Sequence, residues 1–363
     1  KDALKMEKKN KKLDFSSQSF FLGIDVHKKS WNVTIRSNKM ELCTFSMNPS
    51  PEELVKYMQK HYPKGKYFSV YEAGFCGYWI DRKLRAYGIE NIVVSPADIP
   101  TKSKERTTKS DTIDSRKLAR ELENGTLDCI YVPDKLQEEL RAYCRMRYQL
   151  VGNQVRLKNR IKGYLMFCGK EIPENYKIRN WSGKFIKHLE EQIQFENEVG
   201  RECLLVYLEE LKQSRERLSG VLLRLRRYAE EYKFKPLINR LMSIPGIGFI
   251  NAITLYTELM DIRRFRSLDD LASYVGLVPA TSASGEKEKI LGLSHRYSKF
   301  LRSLLVEASW IAVRKDPAMT LKYNELIKRM SKQKAIIRIA KKLLSRVQHI
   351  WNSSETYEYA LVA

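Results

Sequence analysis

Acidic residues stand in this chain where short apolar stretches end and where a helical stretch begins. Asp25 closes the run FFLGID, and Glu72 closes the run YFSVYE. Asp111 and Asp114 open the segment DTIDSRKLAREL, and their three-residue spacing places both on one side of a helix. Acids that follow strands in this way constrain the fold, because a sheet can gather them at one edge.

Residues 20–133 alternate between strand-like and helix-like patterns. Strands are predicted at 20–25, 30–36, 41–47, 67–70 and 91–95, and helices at 51–61, 78–87 and 111–122. The order β-β-β-α-β-α-β-α predicts a mixed sheet with flanking helices. With carboxylates at these positions, it is typical of a ribonuclease-H-like α/β fold.

The four acids predict a site for Mg²⁺ or Mn²⁺. Hard divalent cations bind oxygen ligands, and two ions about 3.5–4 Å apart polarise the attacking and leaving oxygens of a phosphodiester. Lys109 flanks the Asp pair and is positioned to steer a phosphate. A structural interpretation stays open, since Asp25 can be a turn residue and Asp111 can cap its helix.

The charge balance points to a polyanionic partner. Lys and Arg outnumber Asp and Glu by 66 to 43, which gives the 363 residues a formal net charge of +23. An anionic membrane surface would also fit, but no apolar run approaches the roughly 20 residues that span a bilayer. Residues 1–19 are interpreted as a basic arm, and the six scattered cysteines as reduced thiols of a cytosolic protein.

The remaining chain is predicted to be helical. Residues 134–235 carry two leucine stripes at near-heptad spacing, broken at 169–182, which predict long helices paired as a hairpin or as a coiled coil between subunits. Residues 236–350 predict a third, helical unit, and 351–363 a tail.

Two features of the third unit suggest contact with a phosphate backbone. IPGIG, with Gly246 and Gly248, is similar to a helix-hairpin-helix turn whose N–H groups bind phosphate, although an ordinary turn fits equally. Residues 328–346 hold eight Lys or Arg and no acid, beginning with Lys328 and Arg329. Such strips bind phosphates or are simply solvated.

The stretch ATSASGEKEKILG predicts a serine-rich loop. Ser284 could present its hydroxyl to a phosphate, but a serine nucleophile needs a base or a metal, and loops of this composition are usually structural. The residues alone leave its role open. His295, further along, is interpreted as a phosphate contact or a surface residue.

Taken together and in order, the motifs resemble the DEDD transposases of insertion sequences, relatives of the Piv-type DNA invertases that include the bridge-RNA-guided recombinases. The resemblance runs from about residue 20 to 314. It rests on GIDVHK, YEAGFCGY, VVSPADIP, KSDTIDSRKLAREL, IPGIGFINA, FRSLDDLASYVGLVP, SASGE and LRSLLVEASW. Arg302, in the last motif, joins the predicted nucleic-acid contacts. His295 and Tyr297 depart from the family pattern, which more commonly has Lys and Gly there.

The resemblance implies a RuvC-like domain at 20–133, a coiled coil at 134–235 and a transposase domain at 236–350. The family's metal-binding tetrad matches Asp25, Glu72, Asp111 and Asp114. Ser284 is implied to attack DNA and form a covalent phosphoserine link, with Ser282 as the alternative nucleophile.

The resemblance also implies an assembly. The active particle would be a tetramer, a dimer of dimers, whose sites combine two subunits and use Mg²⁺. A structured bridge RNA would pair with donor and target DNA in the cytoplasm of a bacterium or archaeon, at the nucleoid. A RuvC-like endonuclease without a serine nucleophile and a non-catalytic nucleic-acid-binding protein are the alternatives.

Overall fold

The computed structural model describes residues 14–100, 111–172, 181–232, 234–284, 287–294 and 297–359, with 111, 281–284 and 287–291 described by their backbone alone. Lys109 and His295 lie outside the described residues. The chain divides into two compact units, Lys1–Val132 and Pro133–Ala363. The finer division near residue 235 stays a prediction.

A five-stranded mixed sheet forms the centre of the first unit. Its order is β3-β2-β1-β4-β5, with β1 (Ser19–Val26), β2 (Trp31–Ser37), β3 (Met40–Met47), β4 (Lys66–Glu72) and β5 (Glu90–Val94). Strands β1, β4 and β5 are parallel, whereas β2 is antiparallel to both β1 and β3. The helices are α1 (Pro51–His61), α2 (Trp79–Ala86) and α3 (Asp111–Asn124). The predicted mixed sheet with flanking helices is confirmed.

The two faces of β1 pack against different helices. Phe20, Leu22 and Ile24 are fully buried in a core shared with α1 and α2. Gly23 faces the other way, because side chains alternate along a strand. A Cβ on Gly23 would lie 2.1 Å from the carbonyl oxygen of Ser115 in α3. Helix α3 therefore lies directly on β1, at a distance that only glycine allows.

Side-chain contacts with β2 fix the direction of α3. The Thr34 Oγ1 lies 2.9 Å from the Ser115 Oγ, and the Arg36 Nε donates to the Glu123 carboxylate at 2.8 Å. Helix α3 thus advances in the same direction as β2 and antiparallel to β1. Its first turn lies toward the carboxyl end of β1.

Two long helices begin the second unit. Helix α4 (Lys135–Phe167) and helix α6 (Glu198–Glu231) contact each other within one chain, and α5 (Gly183–Glu191) packs beside them. The Gln154 Nε2 donates to the Ser214 carbonyl at 3.0 Å across this pair. Of the two pairings that the sequence allowed, the structure contains the one within the chain.

The C-terminal part of this unit packs around a large apolar core. Its elements are α7 (Lys235–Met242), α8 (Phe249–Leu259), α9 (Leu268–Val275), β6 (Pro279–Ser284), β7 (Lys287–Leu293), α10 (Lys299–Lys315), α11 (Pro317–Ile327) and α12 (Lys332–Asn352). None of the helices in the described part of the chain combines the length and the apolar character that crossing a bilayer requires.

One expectation for this region was wrong. The serine-rich segment is not a loop, since β6 and β7 form an antiparallel pair. Small polar residues suggested a loop, but ladder hydrogen bonds use backbone groups that every residue here except Pro279 supplies fully. The basic stretch 328–346 runs from Lys328, which ends α11, into α12, whose start is capped by the Ser331 side chain.

Candidate active site

The parallel pair β1 and β4 brings two of the predicted acids to the same level of the sheet. Ile24 pairs with Tyr71, and the next residue in each strand is Asp25 and Glu72 respectively. Both acids therefore stand at the carboxyl ends of neighbouring parallel strands. Sequence reasoning predicted this placement from the strand ends alone.

Both acids also lie on the face of the sheet that α3 covers. Gly23, two residues before Asp25, contacts α3, and Val70, two residues before Glu72, packs with Leu118 of α3. Side chains two apart in a strand share a face.

The first turn of α3 lies level with these strand ends. Ser115 lies over Gly23. From Ser115 back to Asp111 the helix covers about 6 Å, at about 1.5 Å per residue. From Gly23 to Asp25 the strand covers about 6.6 Å. Because α3 and β1 are antiparallel, the backbone of Asp111 comes level with Asp25.

Asp114 lies on the side of α3 that faces β4. It precedes Leu118 by four residues and so shares its face of the helix, and Leu118 packs on Val70 of β4. Asp114 is half-buried. The fold thus places Asp114 toward the strand that carries Glu72.

His27 is a contact that sequence reasoning missed. The Asp25 side chain is 20% exposed, and its Oδ2 lies 3.1 Å from the His27 Nε2. The two-residue spacing just past the end of β1 is the signal that could have found it. His27, the more exposed of the two side chains, contacts the Asp25 carboxylate and orients it.

The donor chemistry of the site fits a hard divalent cation. Within the described part of the chain, no three His, Cys, Asp or Glu side chains cluster closely enough to hold a metal ion. The side chains of Asp25, Glu72 and Asp114 belong to the described part, so the structure does not bring these three together as a metal site. The Asp111 side chain falls outside that description. All four candidates are carboxylates, which supply the oxygen ligands that Mg²⁺ prefers. The topology carries them to one end of one face.

The predicted nucleophile lies in the second unit, at the end of a strand. In the backbone ladder Ser284 pairs with Lys287 and Ser282 pairs with Lys289. Ser284 is therefore the last residue of β6. Both serines stay candidates, because the structure describes only their backbone.

The glycines of the IPGIG turn have different surroundings. Gly246 has a φ of +92°, and a Cβ there would lie 2.3 Å from the Ala308 carbonyl oxygen in α10. Gly248 precedes α8, is exposed, and a Cβ would meet nothing within 4 Å. Packing on α10 gives Gly246 a structural reason to be glycine, and the phosphate contacts predicted at Gly246 and Gly248 stay predictions.

Arg302 is half-buried in the second unit. Its guanidinium lies 3.3 Å from the centroid of the Tyr297 ring and donates to the Ser294 carbonyl. A Cβ on Gly276 would come within 2.4 Å of it. Burial lowers the pKa of Arg302. These contacts give Arg302 a role in local packing, and its predicted nucleic-acid contact stays a prediction.

The two predicted basic residues after α11 are both exposed. Lys328 directly follows the last turn of α11, and Arg329 forms a salt bridge with Glu325. Arg329 lines a cleft that α12 also lines, whereas Lys328 does not.

Two family models match the chain. The transposase model DEDD_Tnp_IS110 matches residues 22–168, and the model described as Transposase IS116/IS110/IS902 family matches residues 238–324. The first match contains Asp25, Glu72, Asp111 and Asp114, and the second contains Ser284.

Curated relatives match across both units. A putative transposase of Sinorhizobium fredii, y4rJ, is 30% identical over 82% of this chain and 81% of its own length. A second one from that organism, y4qE, is 30% identical over 67% of this chain, which spans 58% of that relative. The transposase for insertion sequence element IS1111A of Coxiella burnetii is 26% identical over 78% of this chain and 77% of its own length.

Proposed function

We propose that this chain, which belongs to the IS116/IS110/IS902 family of transposases, cuts and rejoins DNA through a covalent bond to Ser284. One observation carries the proposal: Asp25 and Glu72 end neighbouring parallel strands, and the backbone of the first turn of α3 lies level with these strand ends on one face of the sheet. Carboxylates in that arrangement serve phosphoryl transfer.

The metal site is proposed on Asp25, Glu72, Asp111 and Asp114. Bound Mg²⁺ or Mn²⁺ would polarise the scissile phosphodiester and stabilise negative charge on its oxygens. His27 supports this site by orienting the Asp25 carboxylate through its 3.1 Å contact.

The strand exchange conserves phosphodiester bonds. The Ser284 Oγ forms a bond to phosphorus while the bond from phosphorus to one flanking sugar oxygen breaks. The serine proton is lost, and the released sugar oxygen gains one as a hydroxyl. Attack by a sugar hydroxyl of another strand reverses these changes, so the reaction needs no external energy source.

We propose further that a structured RNA selects the donor and target DNA and that the active particle is a tetramer. The resemblance to bridge-RNA-guided recombinases is the basis of both. The net charge of +23 supports contact with more than one polyanion, since each strand brings its own phosphates. In this assembly Ser284 and the carboxylates act on the same phosphodiester.

A covalent-adduct experiment tests the proposal. The purified chain is incubated with end-labelled DNA of its element, co-purified RNA and Mg²⁺, then denatured and separated by size. We expect a labelled protein–DNA adduct with the wild type and with Ser282→Ala, and none with Ser284→Ala.

Other outcomes lead to different conclusions. An adduct lost only in Ser282→Ala would move the nucleophile by two residues. If Ser284→Ala cleaves DNA fully and no variant forms an adduct, the proposal is wrong and the chain is a metal-dependent endonuclease. DNA binding without cleavage by the wild type would favour the binding-only alternative.

A further inference from the structure

A cleft of about 610 Å³ opens between α11 and α12 in the second unit. Its walls are basic and its floor is apolar. The lining residues are Lys322, Leu326, Arg329 and Met330 from α11 and the turn after it, Arg338, Lys341, Lys342 and Ser345 from α12, and Leu268 from the start of α9.

The helical spacing separates this cleft from the core. On α12 the lining residues fall at 338, 341, 342 and 345, which is a single stripe along one face. A different stripe of the same helix, including Ile339 and Leu343, is fully buried. The basic residues are therefore not by-products of core packing, and they point into a shared space.

The cleft carries surplus positive charge. Five cations line it, and no acid does. Glu325 pairs with Lys322 at 2.7 Å and with Arg329, and Asp269 pairs with Lys341 at 2.6 Å. Arg338 and Lys342 are exposed and form no salt bridge within the part of the chain that is described. A solvated helix face normally carries both positive and negative side chains. A row of positive side chains alone therefore indicates an anionic ligand.

The size and floor of the cleft restrict that ligand. Its volume lies within the range of about 300–1,000 Å³ that holds a small organic molecule. A nucleotide or two of a single strand fits such a space, whereas a duplex does not enter it. Leu268, Leu326 and Met330 offer apolar contact to a base or sugar. Cations around an apolar floor match the way single strands bind, with phosphates and bases contacted separately.

We propose that this cleft binds an unpaired nucleic-acid strand, with phosphates on Arg338 and Lys342 and a base against Leu326 and Met330. The inference rests on the proposed function, in which strands of DNA and RNA are unpaired during exchange. The same phosphodiester chemistry arises from either source, and the experiment separates them.

The test uses the full chain and a short fluorescent oligonucleotide of one sequence, prepared as single-stranded DNA, as single-stranded RNA and as a DNA duplex. Affinity is measured by anisotropy across a series of salt concentrations. The test variant is Arg338→Gln with Lys342→Gln. The control is Lys135→Gln with Lys187→Gln, two exposed lysines in intrahelical salt bridges outside the cleft.

Loss of two phosphate contacts should lower the slope of log affinity against log salt by about 1.4, at about 0.7 per contact for a single strand. The control should leave the slope within experimental error, and duplex binding should be the same for the test variant and the wild type. Arg338→Lys with Lys342 intact keeps the charge and should retain the wild-type slope. If the wild type binds the single-stranded RNA more tightly than the single-stranded DNA, the cleft is assigned to the guide RNA. If it binds the single-stranded DNA at least as tightly as the RNA, the cleft is assigned to an exchanged DNA strand.

Three results would overturn the inference: an unchanged slope in the test variant, an equal loss in the control, or an equal loss for duplex DNA. Thermal unfolding of each variant verifies folding. Adduct formation at Ser284, measured on the same preparations, separates failure of this inference from failure of the proposed function, because a wild-type adduct yield with an unchanged slope contradicts the cleft alone.

Discussion

A missing side chain at residue 23 allows the candidate site to form. A Cβ there would lie 2.1 Å from the Ser115 carbonyl oxygen and 2.3 Å from the Ala119 nitrogen. Both are backbone atoms of α3, so the neighbours cannot rotate away. The first turn of α3 comes level with the strand ends on this face because the helix approaches β1 this closely.

Gly23→Ala should therefore destabilise the first unit. Overpacking of this kind costs about 1–3 kcal/mol, and cleavage should fall as well because α3 moves. Gly163→Ala is the matched control. A Cβ there meets nothing within 4 Å inside α4, and the change should stabilise by about 0.5–1 kcal/mol. Urea unfolding followed by circular dichroism measures both, and wild-type stability in Gly23→Ala would contradict the packing described.

Tyr357 predicts a pH dependence of stability. Its hydroxyl donates to the buried Asp316 carboxylate at 2.6 Å, and burial followed by this hydrogen bond raises the pKa of Tyr357 to about 12. An unfolded tyrosine titrates near pH 10. The neutral form is thus favoured in the folded state, so its contribution is complete below pH 10 and is lost as the pH rises toward 12.

Tyr357→Phe should lower the free energy of unfolding by about 1–3 kcal/mol at neutral pH, since the hydrogen bond is to a charged group. The free energy of unfolding of this variant should also fall less steeply between pH 10 and 12 than that of the wild type. Tyr359→Phe, at an exposed residue, should reproduce the wild-type curve. A variant curve parallel to the wild-type curve across that range would rule out this role for Tyr357.

Individual residues differ in how far the sequence predicts them. Asp25 and Glu72 could be placed because local patterns mark the ends of strands. Arg302 could not, because its position depends on Tyr297 and on the space left by Gly276 in another helix. A motif identifies the residue type, whereas burial against distant elements decides whether the side chain is available.

At the scale of elements, the turn between α7 and α8 contains one glycine that packs on α10, Gly246, and one exposed glycine, Gly248. Gly246→Ala places a side chain at a φ of +92° and 2.3 Å from a carbonyl oxygen, so we expect clear destabilisation. Gly248→Ala should change stability by about 1 kcal/mol or less. If the start of α8 binds a phosphate, Gly248→Ala weakens DNA binding while the fold persists. Normal stability of Gly246→Ala would disprove the packing role.

Elements defined by local signals were predicted well. Pro51 begins α1 and the Ser50 Oγ accepts from the Glu53 backbone N–H at 3.2 Å, so the start of this helix is encoded within four residues. The β6–β7 pair was missed because small polar residues suit loops, while the strands form through backbone hydrogen bonds between segments.

At the scale of the whole molecule, pairings between distant segments decide the arrangement of the site. The parallel contact of β1 with β4 and the antiparallel course of α3 join parts of the chain about 40 to 90 residues apart. Periodicity and composition carry no information about that order. The predicted convergence of the acids came from their places at strand ends and at the start of a helix, and the family resemblance agreed with it. The strand register gives the placement of Asp25 beside Glu72 a physical basis.

Binding of Mn²⁺ to the full chain, followed by electron paramagnetic resonance, tests the central claim most directly and requires no DNA cleavage. We predict that Asp25→Asn, Glu72→Gln, Asp111→Asn and Asp114→Asn each weaken binding at least about tenfold, because each removes one carboxylate from a shared site. Asp128→Asn, at an exposed acid of the same unit, should bind as the wild type does. Equal Mn²⁺ affinity in all five variants and the wild type would contradict a metal site built from these four acids.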